Sequence, residues 1–134
     1  MRREKEVSKL IEEFREQAEV GPEYDEPATA IRSQYRVVEE EEEELDVEVN
    51  MMLLRLAMGV GGREIEDSMR ERIAEEIADV RVTIDLLADM LGIDIVDAER
   101  MKMEYNVNKG GNKDENGKVI DDADIEKPDF SKVL

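Results

Sequence analysis

The sequence predicts an all-α protein, and three observations support this prediction. Aromatic residues make up only 4% of the chain, so its apolar 40% consists mainly of Leu, Ile, Val, Met and Ala, which suit a core between helices. Apolar residues recur at steps of three, four and seven, the spacing of one helix face. Glycines and prolines lie between these periodic stretches rather than inside them. With 134 residues, we expect one domain over 1–134.

Four helices are expected, at about 4–18, 28–58, 64–91 and 95–109. Gly92 suits the end of the third helix, and Asp94 suits the N-cap of the fourth. Beyond the helical part, about 4–109, the remaining residues at about 110–134 have turn-forming residues and little periodicity. We therefore expect an irregular tail along the surface. The residues expected to face inward on the last two helices are Ile73, Ile77, Val80, Ile84, Leu87, Leu91, Val96, Met103 and Val107.

Composition excludes several classes of function. The chain has no cysteine and no histidine, which excludes thiol nucleophiles, disulfides, zinc-finger sites and imidazole bases. Carboxylates are therefore the main catalytic groups that remain. The formal charge of −18, from 37 acidic and 19 basic residues, argues against binding to nucleic acid or to anionic membranes. A polyanionic substrate would need a cation as intermediary.

The sequence also lacks the usual signals for export or membrane insertion. Its start, MRREKEVSKLIEEF, is too charged for a signal peptide. No apolar run approaches the roughly 18 residues of a membrane span. We therefore expect a soluble protein of the cytoplasm, which for a viral protein is the host cytoplasm.

Two glutamates of the acidic run at 39–44 fall on the apolar stripe of the second helix. Glu41 lies three residues after Val38 and four before Leu45, and Glu44 lies one turn further along. Residues three or four apart share one helix face. A run of acidic residues is ordinarily a solvated face, whereas this register predicts that two carboxylates face inward.

The third helix carries a second acidic pair on its apolar side. Glu76 lies three residues after Ile73 and four before Val80, and Asp79 lies seven before Leu86. Clustered carboxylates inside a protein would mostly protonate unless a cation were present. Two antiparallel helices can bring two such pairs around one ion, and Mg²⁺ prefers about six oxygen ligands. The sequence therefore predicts a Mg²⁺ site, with Mn²⁺ as a substitute ion, formed by Glu41, Glu44, Glu76 and Asp79.

The same two stretches resemble the motifs of a known superfamily. VVEEEEEEL fits an EExxEL pattern, and AEEIADVRVTIDLLADMLGID fits EExxDV followed by a long apolar helix that ends in LGID. Both are similar to the all-α nucleoside triphosphate pyrophosphohydrolases, which include MazG-type, dimeric dUTPase-like and phosphoribosyl-ATP pyrophosphohydrolase-like proteins. FREQAEVGPEYDEP, YNVNK, NGKVI and KPDF resemble segments of the last branch. The resemblance thus covers nearly the whole chain.

This resemblance implies both a fold and an activity. The fold is a four-helix-bundle protomer of the MazG-like type with an irregular tail. Four helices of this length also have too much apolar face for one small monomer, so we expect a homodimer or tetramer. The activity is Mg²⁺-dependent hydrolysis of a dNTP or NTP at the α-phosphorus, which releases the monophosphate and pyrophosphate. The implied metal ligands are Glu41, Glu44, Glu76 and Asp79, and the residues implied to approach phosphate or sugar are Lys102, Asn106 and Lys109.

The resemblance leaves open both the register of the first acidic motif and the residue that acts as the general base. The six-glutamate run allows the motif to shift by one residue, and Leu45, as the Leu of EL, favours Glu41 and Glu44. Glu40 is then a candidate second-metal ligand or general base, and Glu41 is the other candidate for accepting a proton from water. YNVNK also lacks the His that the family often has just before Asn106.

Two other functions compete with hydrolysis. One is a non-enzymatic acidic helical protein that mimics nucleic acid and binds a basic partner, although this reading does not explain two acidic pairs on apolar stripes. The other is a nucleotide-binding module without catalysis, which only a turnover assay distinguishes. DENGKVIDDADIE does not fit a calcium loop, because aligning Gly117 with the sixth position places Ala123 at the twelfth.

Overall fold

The computed structural model describes residues 2–59, 61–108, 113–118 and 126–134, and these confirm the all-α prediction. No β-strand occurs among the described residues. The predicted bounds of the helices agree with the observed ones to within two residues at each end. The elements are α1 (Arg2–Ala18), α2 (Pro27–Met58), α3 (Arg63–Met90), α4 (Ile95–Asn108) and a 3₁₀ helix (Phe130–Val133).

Local sequence determines where α2 begins and ends. Pro27 occupies the first turn, where a missing N–H costs nothing. The Glu26 carboxylate accepts from the N–H groups of Ala28 and Thr29, at 3.1 and 3.0 Å, and so caps the first turn. At the other end, Gly59 adopts a left-handed conformation with φ of 63°, which glycine reaches without strain. The long helix is therefore capped at both ends by residues of its own sequence.

The chain divides into two compact units, Met1–Leu91 and Gly92–Leu134. In the first unit, α2 and α3 make the most extensive contact between helices, and α1 contacts α3 to a lesser extent. The buried side chains of this unit are mainly apolar and come from all three helices. They are Ile11, Arg15, Ala30, Gln34, Val38, Met69, Thr83, Leu86, Ala88 and Met90.

The inward face of α3 differs in part from the predicted stripe. Ile77 and Leu91, both expected inside, are 45% and 46% exposed. Met69, Thr83 and Leu86 are buried on this helix instead, and Thr83 is polar. Successive residues of a helix are rotated by about 100°. The buried face contains Glu76 and Thr83, which are seven residues apart, so Ile77, one residue after Glu76, lies to the side of that face.

Arg15 connects α1 to α3 and to the loop that follows α1. Arg15 is only 9% exposed, and its Nη1 donates to Asp89 Oδ2 at 2.5 Å. Nη2 donates to Glu23, and Nε donates to the carbonyl of Val20 at 3.0 Å. Gly21 lies against this guanidinium, with φ of 134° and no room for a Cβ atom. One buried cation thus holds a helix and a loop in place.

The second unit contains α4 and the 3₁₀ helix. Asp94 caps α4 as predicted, because its Oδ1 accepts from the N–H of Asp97 at 3.1 Å. The Asp94 N–H donates to the carbonyl of Val133 at 2.8 Å, and Val133 is only 5% exposed. The end of the expected irregular tail is therefore helical, with Asp129 accepting from the N–H and hydroxyl of Ser131.

The face of α4 that is buried also differs from the prediction. Val96, Met103 and Val107, expected to face inward, are all exposed, whereas Tyr105 is only 4% exposed. A large aromatic side chain buries more apolar area than any of these aliphatic residues, which accounts for the rotation of the buried face. Across the described part of the chain, no helix is long and apolar enough to cross a bilayer.

Candidate metal centre

Glutamates from α2 and α3 meet where the two helices pack against each other. Glu41, Glu44 and Glu76 each offer a carboxylate oxygen, and these three oxygens lie within 4.8 Å of one another. Glu41 and Glu44 are separated by three residues on one helix, so their side chains project side by side. Three of the four predicted ligands are thus brought together.

Asp79, the fourth predicted ligand, lies beside this group. It is half-buried, and its negative charge contributes to raising the pKa of both Glu41 and Glu76. Asp79 follows Glu76 by three residues on α3, which again places the two side chains on one face. The four predicted residues therefore share one acidic surface between α2 and α3.

Burial and charge repulsion act on the central carboxylates in the same direction. The pKa of Glu41 lies above its ordinary value of 4.5, because of burial first, then the neighbouring Glu44, and then the charges of Asp79 and Glu76. The pKa of Glu76 is also raised, chiefly by burial and then by surrounding acidic residues. Each of these causes disfavours the ionised form. The surroundings of both carboxylates are therefore unfavourable for negative charge.

Two oxygens in this cluster have no hydrogen-bond partner among the described residues. They are Oε2 of Glu41 and Oε2 of Glu76, and both are covered from solvent. Buried polar atoms are ordinarily paired, and an unpaired one needs a physical explanation. A bound cation is one such explanation, since it would be a direct partner for both oxygens.

The structure adds Glu48, which the sequence reasoning missed. Its Oε2 is also covered and without a hydrogen-bond partner among the described residues, and its charge is one of those that raise the pKa of Glu76. The signal was present in the sequence, because Glu48 follows Glu44 by four residues and Glu41 by seven. These steps keep all three on one helix face.

Two predicted positions differ from the others in exposure. Glu44 is exposed although one of its oxygens belongs to the cluster. Glu40, the candidate second-metal ligand or base, is also exposed. An exposed carboxylate beside the cluster is open to water, which suits a proton acceptor better than a buried structural role.

The donor set fits a hard divalent cation. Carboxylate oxygens are the ligands that Mg²⁺ prefers, and Mg²⁺ usually keeps several positions for water or phosphate. Exposed acidic groups also gather on solvated helix faces with no ion. The covered, unpaired oxygens of Glu41 and Glu76 are what distinguish this cluster from such a face.

The predicted substrate-binding residues belong to the second unit. Lys102 is exposed, and its Nζ lies 4.9 Å from the centroid of the Tyr105 ring, which is a cation–π contact. Asn106 is half-exposed, with Nδ2 3.9 Å from the Sδ of Met103. Lys109 lies outside the described residues. Lys102 and Asn106 therefore each have a local contact, and their approach to a substrate stays a prediction.

Comparison with known proteins adds no family assignment. The sequence matches no protein-family model, and no curated protein is significantly similar to it. The resemblance carried by the two acidic motifs therefore stays a prediction, and a functional assignment must be argued from the carboxylates themselves.

Proposed function

We propose that the protein is a Mg²⁺-dependent nucleoside triphosphate pyrophosphohydrolase, which converts an NTP or dNTP into its monophosphate and pyrophosphate. One observation supports this most strongly. Oxygens of Glu41, Glu44 and Glu76 converge from two helices, and covered oxygens of Glu41 and Glu76 have no hydrogen-bond partner among the described residues. The choice of reaction rests on the resemblance of the two acidic motifs to the all-α pyrophosphohydrolases.

In this proposal the carboxylates divide into ligands and a base. The ligands are Glu41, Glu44, Glu76 and Asp79. When bound, Mg²⁺ would offset the charge on the phosphate oxygens and make an attacking water more acidic. Glu40, exposed next to the ligand Glu41, or Glu41 itself would accept the proton from the water that attacks the α-phosphorus.

The basic residues of α4 and its end would hold the phosphates. A chain with a net charge of −18 repels a triphosphate, so local cations matter for binding. Lys102 lies over Tyr105, which restrains its side chain while the residue stays exposed. Together with Asn106 and Lys109, it would add charge and hydrogen bonds to the phosphate or sugar.

We further propose that the enzyme is a homodimer or tetramer that acts in the cytoplasm. The second half of α2 supports assembly, because it exposes a cluster of large apolar side chains, and scattered exposure rather than clustering is usual for a monomer. Residues 49–62 also contain no acidic residue, so two copies can approach there without strong repulsion. The exposed residues are Met51, Leu53, Leu54, Leu56 and Met58.

The direct test is turnover with Mg²⁺. The protein is incubated with canonical and modified NTPs and dNTPs, and release of monophosphate and pyrophosphate is followed for the wild type, Glu41→Gln and Asp79→Asn. We expect metal-dependent pyrophosphate release that both variants lose. Glu42→Gln is the matched control, since Glu42 is exposed on the same helix and the substitution changes net charge equally.

Neither competing function would release pyrophosphate in this assay, and measurements of Mg²⁺ and nucleotide binding distinguish the two. A catalytically silent module would bind Mg²⁺ and nucleotide without releasing pyrophosphate. An acidic interaction protein would do neither, and neither variant would change metal binding. Either result would refute the proposed hydrolase.

A further inference from the structure

The apolar spacing of α2 and α3 is compatible with more than one alignment of the two helices along each other. Their apolar residues recur at steps of three and four, so sliding one helix by a turn would again bring apolar side chains together. The connection between them, residues 59–62, contains three glycines, which tolerate many backbone conformations.

Charge opposes the observed alignment. Glu41 and Glu44 on α2 lie close to Glu76 on α3, and Asp79 adds a further negative charge. Like charges at this separation repel each other, and the repulsion is stronger where water is excluded. Without a cation, a shifted alignment would reduce this repulsion. Some other contact must therefore favour the observed alignment.

A buried hydrogen bond between Gln34 and Thr83 is such a contact. Gln34 is 5% exposed and Thr83 is 7% exposed. The Gln34 side-chain amide donates from Nε2 to the carbonyl oxygen of Thr83 at 2.9 Å. The Thr83 hydroxyl donates separately to the carbonyl of Val80 at 2.7 Å, so it does not compete for the same acceptor.

This hydrogen bond lies two helical turns from the acidic cluster on both helices. Gln34 precedes Glu41 by seven residues, and Thr83 follows Glu76 by seven residues. Because the helices are antiparallel, the same alignment that pairs Gln34 with Thr83 brings Glu41 to Glu76. At about 1.5 Å per residue, the two contacts are about 10 Å apart.

We propose that Gln34 is a positioning residue, whose hydrogen bond to the Thr83 carbonyl sets the α2–α3 alignment that brings Glu41 to Glu76. A slide of one turn, about 5.4 Å, would carry the Thr83 carbonyl out of reach of the Gln34 amide, and breaking a buried hydrogen bond is unfavourable. A single buried polar side chain fixes the alignment of packed helices in the same way in coiled coils. The effect on metal binding rests on the proposed function, whereas the alignment does not.

The test compares variants that do and do not remove this donor. Gln34→Met keeps a long unbranched side chain but cannot donate, and Gln34→Asn keeps an amide that is one methylene shorter. Thr83→Ala is the matched control, because the carbonyl acceptor stays. Met69→Ala, at a buried apolar residue of α3, controls for loss of stability alone.

The first readout is the alignment itself, measured without metal or substrate. The chain has no cysteine, so spin labels can be attached at Glu39→Cys and Glu71→Cys, two exposed positions on α2 and α3. These positions are offset along the helix axes, so a slide of one helix changes the distance between the labels directly. Labelled chains are diluted into unlabelled protein. Double electron–electron resonance, a pulsed electron paramagnetic resonance method, then reports the distance between the two labels of one chain. We expect one distance in the wild type, Thr83→Ala and Met69→Ala, and a second or shifted distance in both Gln34 variants.

The second readout is the affinity for Mn²⁺, a paramagnetic substitute for Mg²⁺, measured without nucleotide. We expect Gln34→Met to weaken binding about tenfold and Thr83→Ala to leave it unchanged. A single unshifted distance in a folded Gln34 variant would overturn the proposal. If the wild type binds no Mn²⁺, the proposed function fails, and the distance measurement still decides the role of Gln34.

Discussion

Glu41 on α2 and Glu76 on α3 present carboxylate oxygens within 4.8 Å of each other. Each residue also has a covered Oε2 with no hydrogen-bond partner among the described residues, and the pKa of each is raised by burial and by the surrounding charges. The pair is therefore unfavourable in the ionised protein without metal. The two charges therefore lower the stability of the metal-free protein, although the proposed function requires both of them to bind a cation.

The first prediction follows from that opposition. Glu41→Gln and Glu76→Gln should each raise the melting temperature of the metal-free protein at neutral pH, because each removes one of the repelling charges. The same substitutions should lower kcat/KM by about a hundredfold or more. Thermal unfolding and pyrophosphate release measure the two effects. Stabilisation as large in Glu42→Gln, an exposed neighbour, would show that net charge alone is responsible.

The second prediction concerns pH. Because Glu41 and Glu76 have a raised pKa in the folded protein, the folded state binds more protons than the unfolded state above about 4.5. The free energy of unfolding should therefore rise as pH falls from neutral towards that value. At lower pH stability should fall again, because Glu23 and Glu26 have a lowered pKa, held down by Arg15 and by backbone N–H groups respectively.

A matched pair of double variants separates this effect from general repulsion. Replacing Glu41 and Glu76 with Gln should remove most of the rise in the free energy of unfolding between neutral pH and about pH 4.5, the neutral limb of the stability profile. Replacing the exposed Glu42 and Glu43 with Gln changes net charge equally and should leave most of the limb in place. Melting temperatures between about pH 4 and 8 test the difference, and identical profiles would contradict the assignment to the cluster.

Addition of Mg²⁺ provides a third prediction. A ligand that binds only the folded state stabilises it by about 2.7 kcal/mol at a hundred times its Kd. Mg²⁺ should therefore raise the melting temperature at neutral pH, and acidification should reduce the effect as protons compete for the carboxylates. Glu48→Gln should weaken binding about tenfold, since Glu48 has a covered oxygen and acts on Glu76. Titration of Glu48→Gln against exposed Glu43→Gln checks this, and equal affinities would exclude Glu48.

Features set by residues close together in the sequence were predicted better than contacts between residues far apart in it. The helix bounds follow from apolar steps and from glycine and proline, which act locally, and they were predicted well. The meeting of Glu41 and Glu76 could be predicted because each lies on an apolar stripe that must pack against another. Glu48 lies on the same stripe, but it falls outside the motif spacing and was missed.

Contacts that depend on the packing of distant segments could not be predicted. Arg15 lies in a helix rich in charges of both signs, and nothing local indicates that Asp89, 74 residues away, is its partner among 37 acidic residues. The burial of Tyr105 in place of Met103 likewise depends on tertiary packing. For residue pairs such as these, periodicity identifies a helix face but not its neighbour.

The fourth prediction concerns Arg15. Arg15→Met should destabilise the protein by about 2 kcal/mol, because Arg15 is nearly buried and its loss leaves Asp89, Glu23 and the Val20 carbonyl without their donor. Arg100 also has two acidic partners, but its side chain is 55% exposed, so Arg100→Met should cost less. Urea unfolding compares the two variants, and equal losses would show that Arg15 adds no more than a surface ion pair.

The last prediction concerns the exposed apolar part of α2. Leu54 is 61% exposed and lies in the stretch without acidic residues, so a second copy of the chain would cover it in the proposed oligomer. Leu54→Glu places a charge in that contact and should raise the dissociation constant at least about thirtyfold, the effect of losing about 2 kcal/mol at an interface. Gln17→Glu adds the same charge at an exposed site on α1 and should leave assembly unchanged. Analytical ultracentrifugation over a range of concentrations measures both variants. A wild type that sediments only as a 15.4 kDa monomer would remove the oligomer from the proposal, while the carboxylate cluster, which lies within one chain, would still stand.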